Sequence, residues 1–138
     1  MEINVYTDGG SRGNPGIAGY GLVIYDNHKH LIHQESKFLG IKTNNEAEYL
    51  GLLAGLNWIK KNQKMYQIEK LNFFSDSQLL VRQLQGKYKV KALNLKDLFI
   101  QAFQLLNQIN IDYQFTDIRR ESNELADKLA NQAMDKHF

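Results

Sequence analysis

The sequence predicts an α/β domain built on a mixed sheet. Three observations carry this. Three β-rich runs near the N-terminus are joined by connections too short for a helix, so they form an antiparallel meander. Two further β-runs alternate with stretches of helical periodicity, and helix crossovers make strands one, four and five parallel. The 138 residues, 43% hydrophobic and 23% charged, suit one globular domain spanning residues 1–138, with neither linker nor repeat.

In chain order, Ile3 to Asp8 alternates as a first strand and the glycine-rich Gly9 to Gly16 reads as a loop. Ala18 to Asp26 and Leu31 to Leu39 are the second and third strands, with a turn at Asp26–His30. Asn44 or Asn45 is the expected N-cap of a helix reaching about Lys61, apolar on most sides and therefore buried. Gly51 and Gly55 would admit close approach by another element. Ile68 to Ser75 is the fourth strand. Asp76-Ser77 opens a short helix, Gln85 to Lys91 is a basic loop, and Asn94 is expected to cap a helix to about Asn107. Ile111 to Thr116 is the fifth strand, and Ser122 starts a last helix on Leu125, Ala126, Leu129, Ala130 and Ala133. The order is βββαβααβα.

Composition excludes several classes. There is no cysteine, hence no disulfide framework and no thiolate metal site. The longest apolar run, Leu50 to Ile59, is too short to span a membrane, and the N-terminus lacks secretory features, so a cytoplasmic protein is expected. Net charge is only +2, but residues 60–96 carry a local +7 and the remainder −5. Such separation suits a protein that grips a polyanion with one region and does metal chemistry with another; a solvated lysine-rich surface is the plainer reading.

The acids make the sharper case. Asp8 and Asp76 end predicted strands, where α/β sheets bind ligands. Glu48 and Asp127 fall near helix starts on the buried side, and Glu46, two positions from Glu48, cannot face the same way. Converging carboxylates repel one another unless a divalent cation neutralises them, and oxygen-only ligands suit Mg²⁺ or Mn²⁺. Taken singly, an aspartate such as Asp8 or Asp76 is more often a cap or turn residue, a reading that suits Glu48 less because of its apolar surroundings.

Four blocks then point to a family. Asp8-Gly-Gly-Ser-Arg-Gly-Asn-Pro-Gly with Gly19-Tyr-Gly, Thr43-Asn-Asn-Glu-Ala-Glu48, Phe74-Ser-Asp76-Ser-Gln78, and Arg120-Glu-Ser-Asn123-Glu-Leu-Ala-Asp127 closely resemble ribonuclease H type 1. The resemblance covers the whole chain, in the family's order and spacing. It implies a five-stranded sheet in the order 3-2-1-4-5 and hydrolysis of the RNA strand of RNA–DNA hybrids, by a monomer, leaving 5′-phosphate and 3′-hydroxyl ends. It implies that Asp8, Glu48, Asp76 and Asp127 hold two Mg²⁺ or Mn²⁺ ions, and it selects Glu48 over Glu46, which becomes a solvated bystander. Asn14, Asn44, Asn45 and Gln78 are implied to read RNA 2′-hydroxyls in the minor groove, and Thr43 to meet a backbone phosphate. The loop containing Lys87, Tyr88 and Lys89 resembles the short form that lacks an extra basic helical protrusion, and it interleaves an aromatic with cations as a DNA-strand groove would.

The sequence also departs from the pattern. Many type 1 enzymes have a histidine before the last helix; here Thr116 to Glu121 has none. Asp117 stands near that position, with Arg119, Arg120 and His137 as alternatives. A two-domain phosphotransferase whose first strand also ends in Asp-Gly needs more chain than 138 residues. A catalytically silent hybrid-binding module would not need converging acids.

Overall fold

The computed structural model describes residues 1–136. Its five strands are β1 (Glu2–Gly13), β2 (Gly16–Asp26), β3 (Leu31–Lys42), β4 (Lys70–Ser75) and β5 (Asp112–Asp117). They form one sheet in the order β3-β2-β1-β4-β5, antiparallel across β1, β2 and β3 and parallel from β1 through β4 to β5. Four helices, α1 (Asn44–Tyr66), α2 (Gln78–Leu84), α3 (Leu93–Ile109) and α4 (Glu124–Asp135), complete the predicted order, with a 3₁₀ turn at Arg120–Ser122 before α4.

Alternation along the strands decides which helix covers which face. Ile3 and Val5 of β1 and Leu22 and Ile24 of β2 are fully buried beneath α1, with Leu52, Leu56 and Ile59 of the helix. Each such side chain contributes about 1.5–3 kcal/mol by leaving water. Gly51 and Gly55 are where α1 meets the sheet, since added Cβ atoms would sit 3.2 Å from Tyr20 Cβ and from Leu22 Cδ1. The opposite face takes α4, whose Ala126 and Leu129 pack on Val23. A Cβ on Gly21 would lie 2.0 Å from the Ala126 carbonyl oxygen, so α4 rests on β2 only because that residue has no side chain. Gly21 pairs with Asp8 in register, so this close contact sets α4 beside the middle of β1.

Several local expectations change. Strand β1 runs through Gly9–Gly13, because Gly16 to Gly19 of β2 pair with that segment as far as Gly13↔Gly16; the glycine loop is a hairpin arm. Helix α1 is capped by Thr43, not Asn44 or Asn45, and extends beyond Lys61 to Tyr66. Glu46 is no bystander: its carboxylate accepts from the Thr43 amide at 2.9 Å while the Thr43 hydroxyl accepts from the Glu46 amide at 3.1 Å, a capping box. Helix α3 begins after Ala92 with no side-chain cap, so Asn94 lies inside it. Ser122 belongs to the 3₁₀ turn, and α4 follows Asn123.

Candidate metal centre

Strand β1 delivers Asp8, and the next residue fixes its neighbour. A Cβ on Gly9 would lie 2.4 Å from the Ala47 carbonyl carbon, so only glycine lets the first turn of α1 press against the strand there. The Gly9 amide donates to Glu48 Oε1, and the Ser75 hydroxyl donates to Glu48 Oε2 at 3.4 Å. Strand β4 ends at Ser75, which leaves Asp76 directly before Ser77, the N-cap of α2. Carboxylate oxygens of Asp8, Glu48 and Asp76 consequently lie within 4.8 Å of one another.

Three acids this close are electrostatically unfavourable on their own. Asp8 is 9% exposed and Glu48 6%. Burial, then repulsion by Glu48, Asp76 and Asp127, raises the Asp8 pKa well above the carboxylate range. Burial and repulsion by Asp76 raise Glu48, against the opposing pull of the Gly9 amide. Asp76 is raised mainly by burial, with Asp127 adding to the effect and the Arg120 guanidinium opposing it. A compact set of oxygen ligands that binds protons tightly in place of a cation is what a hard divalent ion would displace.

Asp127 lies outside the set within 4.8 Å of one another but is close enough to act on Asp8 and Asp76. It lines a cavity of about 360 Å³ with Asp8 and Asp76, is 30% exposed, and lies 3.6 Å from Arg120 Nη2. Asn131, one turn along α4, donates to its main-chain oxygen at 3.0 Å and approaches its carboxylate at 3.4 Å. Arg120 therefore pairs with Asp127 rather than with Glu121 or Glu124; Arg119 reaches Glu121 at 4.0 Å. Asp117, Arg119 and Arg120 line a second cavity beside Asp76 with Gln78, whereas His137 lies outside the described residues.

The amide residues cluster at the start of α1. Asn14 Oδ1 accepts from the Asn44 amide at 3.0 Å, and Asn44 Oδ1 accepts from the Ser11 amide at 2.7 Å, which ties the hairpin arm to the helix. Asn45 follows on the same first turn, half-buried, and Gln78 is exposed as the first residue of α2. Lys87, Tyr88 and Lys89 are exposed on the segment between α2 and α3, which contains no helix. Its course is fixed by the Arg82 carbonyl, which accepts from the Lys87 and Tyr88 amides, and by Arg82 Nη1, which donates to the Tyr88 hydroxyl at 2.8 Å. Two contributors were not singled out from sequence: the Arg120–Asp127 pair and Asn131. For Asn131 the signal was the four-residue spacing of Asp127, Asn131 and Asp135, which puts all three on one face of α4; Arg120, in the 3₁₀ turn before that helix, has no such signal.

Residues 6–133 match the family model described as reverse transcriptase-like. The ribonuclease H of Ruthia magnifica is 32% identical over 152 aligned residues, covering 98% of this chain and 97% of that protein. The chain belongs to the type 1 ribonuclease H family. The bifunctional protein Rv2228c of Mycobacterium tuberculosis is 41% identical over 137 residues, but the chain spans only 36% of its length. Among solved structures, the LC11 ribonuclease H1 in complex with an RNA/DNA hybrid superposes with a TM-score of 0.92 at 40% identity, each chain covered to 98%. Within this family the chain has the short connection between α2 and α3 and no histidine between β5 and α4.

Proposed function

We propose that the protein hydrolyses the RNA strand of RNA–DNA hybrids, as one catalytic domain acting as a monomer in the cytoplasm. The observation that carries this is the buried cluster of Asp8, Glu48 and Asp76, with carboxylate oxygens within 4.8 Å, in a chain of the type 1 ribonuclease H family. The hybrid bound to the LC11 relative supports the substrate class.

In this reading Asp8, Glu48, Asp76 and Asp127 hold two Mg²⁺ ions when substrate is bound, with Mn²⁺ able to substitute. Bound there, such ions would lower the pKa of a water and neutralise charge on a departing 3′-oxygen, the chemistry that would give 5′-phosphate and 3′-hydroxyl ends. The chain's own groups do the rest. The Gly9 amide and Ser75 hydroxyl orient Glu48. Asn131 orients Asp127, and Arg120 balances its charge. Asn14, Asn44, Asn45 and Gln78 present short amides to the RNA minor groove, where 2′-hydroxyls distinguish RNA from DNA. Thr43 contacts a phosphate, and Lys87, Tyr88 and Lys89 track the DNA strand.

The test is a cleavage assay on hybrid, double-stranded RNA and double-stranded DNA with Mg²⁺, Mn²⁺ or chelator. Hybrid cleavage that needs metal and yields 5′-phosphate ends is expected; no hybrid cleavage with either metal refutes the proposal. Asp76→Asn is expected to abolish turnover while hybrid binding remains measurable.

A further inference from the structure

Arg12 has a place that the reading above leaves unused. It lies on the hairpin arm of β1, with Ser11 and Asn14 on the same arm bonded to the start of α1. Its side chain crosses to α4, where Nη2 lies 2.6 Å from Asp135 Oδ1 and 3.4 Å from Asn131 Oδ1. Both α4 residues continue the face that begins at Asp127, one and two turns further on. Arg12 and Asn131 line the same cavity as Asp8, Asp76 and Asp127.

We propose that Arg12 binds a phosphate of the RNA strand beside the scissile position, and that Asp135 occupies Arg12 until substrate arrives. This rests on the hybrid-cleavage reading. Arg12 shares its cavity with Asp8, Asp76 and Asp127, so a strand whose phosphate reaches the acids brings its neighbouring phosphate towards the guanidinium. The anionic lining of the cavity is Asp8, Asp76 and Asp127, which repel a polyanion; Arg12 and Arg120 are its cations. A guanidinium takes phosphate in the two-pronged geometry it uses for carboxylate. The Arg12–Asp135 pair is 45% and 62% exposed, so exchanging one anion for the other costs little.

The competing explanation is a plain strap fastening the hairpin to α4, and the two differ in sign. Hybrid affinity is measured against KCl concentration on the Asp76→Asn background, with thermal melts of each variant. Arg12→Gln is expected to weaken binding severalfold and lower the slope of log K against log salt by about one. Asp135→Asn is expected to tighten binding two- to threefold, and the double variant to behave like Arg12→Gln. On an otherwise wild-type chain, Arg12→Gln raises KM and leaves kcat. A strap would lower the melting temperature in both variants and leave the salt slope intact, and that result overturns the assignment of Arg12 alone. A parent protein that neither binds nor cleaves hybrid overturns both this proposal and the reading beneath it.

Discussion

The ribbon of β1 and β2 carries two acids in opposite electrostatic states. Asp26, the last residue of β2, pairs with Ile3; Asp8, midway along β1, pairs with Gly21, about 17 Å further along the strand. Asp26 Oδ1 accepts from the amides of His30 and His28 at 2.9 and 2.8 Å, and Oδ2 lies 3.0 Å from His30 Nδ1. Those partners, the His30 amide first, hold its carboxyl below the usual value. Asp8 is buried among other acids and raised. One acid closes a turn; the other is kept where the chain alone leaves it uncompensated. An ionisable group retained among others of its own sign is the mark of a site, because folding by itself would discard it.

The strongest way to break the contrast is to separate the acids. Gly9→Ala places a methyl against the backbone of Ala47 and Glu48. It should cost about 3 kcal/mol of stability and remove turnover even where the fold persists, as read by denaturant melts and a metal-dependence assay. Glu48→Gln tests the sign. Turnover should fall at least about 100-fold, the upper range for merely supporting groups of metal sites, while the metal-free protein melts at a higher temperature than its parent. A lower melting temperature would show that Glu48 is already compensated.

Stability should also follow pH in opposite directions for the cluster acids and for Asp26. The cluster acids have raised pKa values in the folded state, so the folded protein binds more protons than the unfolded chain. In chelator their stabilising share is complete below about pH 4 and is lost as pH climbs through about 8 for Glu48 and about 9 for Asp8. Added Mg²⁺ should restore the melting temperature most at the alkaline end. Asp26 is the reverse: its contribution is present above the unfolded value near 4 and is lost as pH falls through its lowered one. Asp26→Asn should therefore lower the melting temperature slightly at neutral pH and leave it unchanged in acid. It is the smallest effect of the set, since an Asn oxygen still accepts both amides.

Element order and sheet direction were legible in the sequence because they depend on period and connection length. Asp76 was legible because it follows directly on the last residue of β4, whereas Asp8 lies within β1, which runs five residues further than its alternation suggests. Local punctuation was less so. Asn44 is a good N-cap by type, but its side chain is engaged by Ser11 and its amide by Asn14, contacts that depend on a hairpin arm thirty or so residues earlier. Thr43-Asn-Asn-Glu46 could have been read as a capping box from its spacing alone. Gly9 to Gly13 looks like a loop until β2 supplies a partner for its backbone. Asp127 stood out by its place on the buried side of a helix start, and Asn131 follows it at helical spacing, whereas the approach of Arg120 required the turn preceding α4 to be folded.

The capping box has a consequence for direction. The Thr43 hydroxyl accepts from the Glu46 amide, so one of its lone pairs is committed and its proton is free to turn outward. At the mouth of a helix start it therefore offers a donor, and a phosphoryl oxygen, which only accepts, is the complementary group. Serine at this position would keep that polarity, and valine, nearly the same shape, would erase it while also uncapping the helix. A single oxygen atom thus reports on both the folding of α1 and the orientation of whatever strand lies across it.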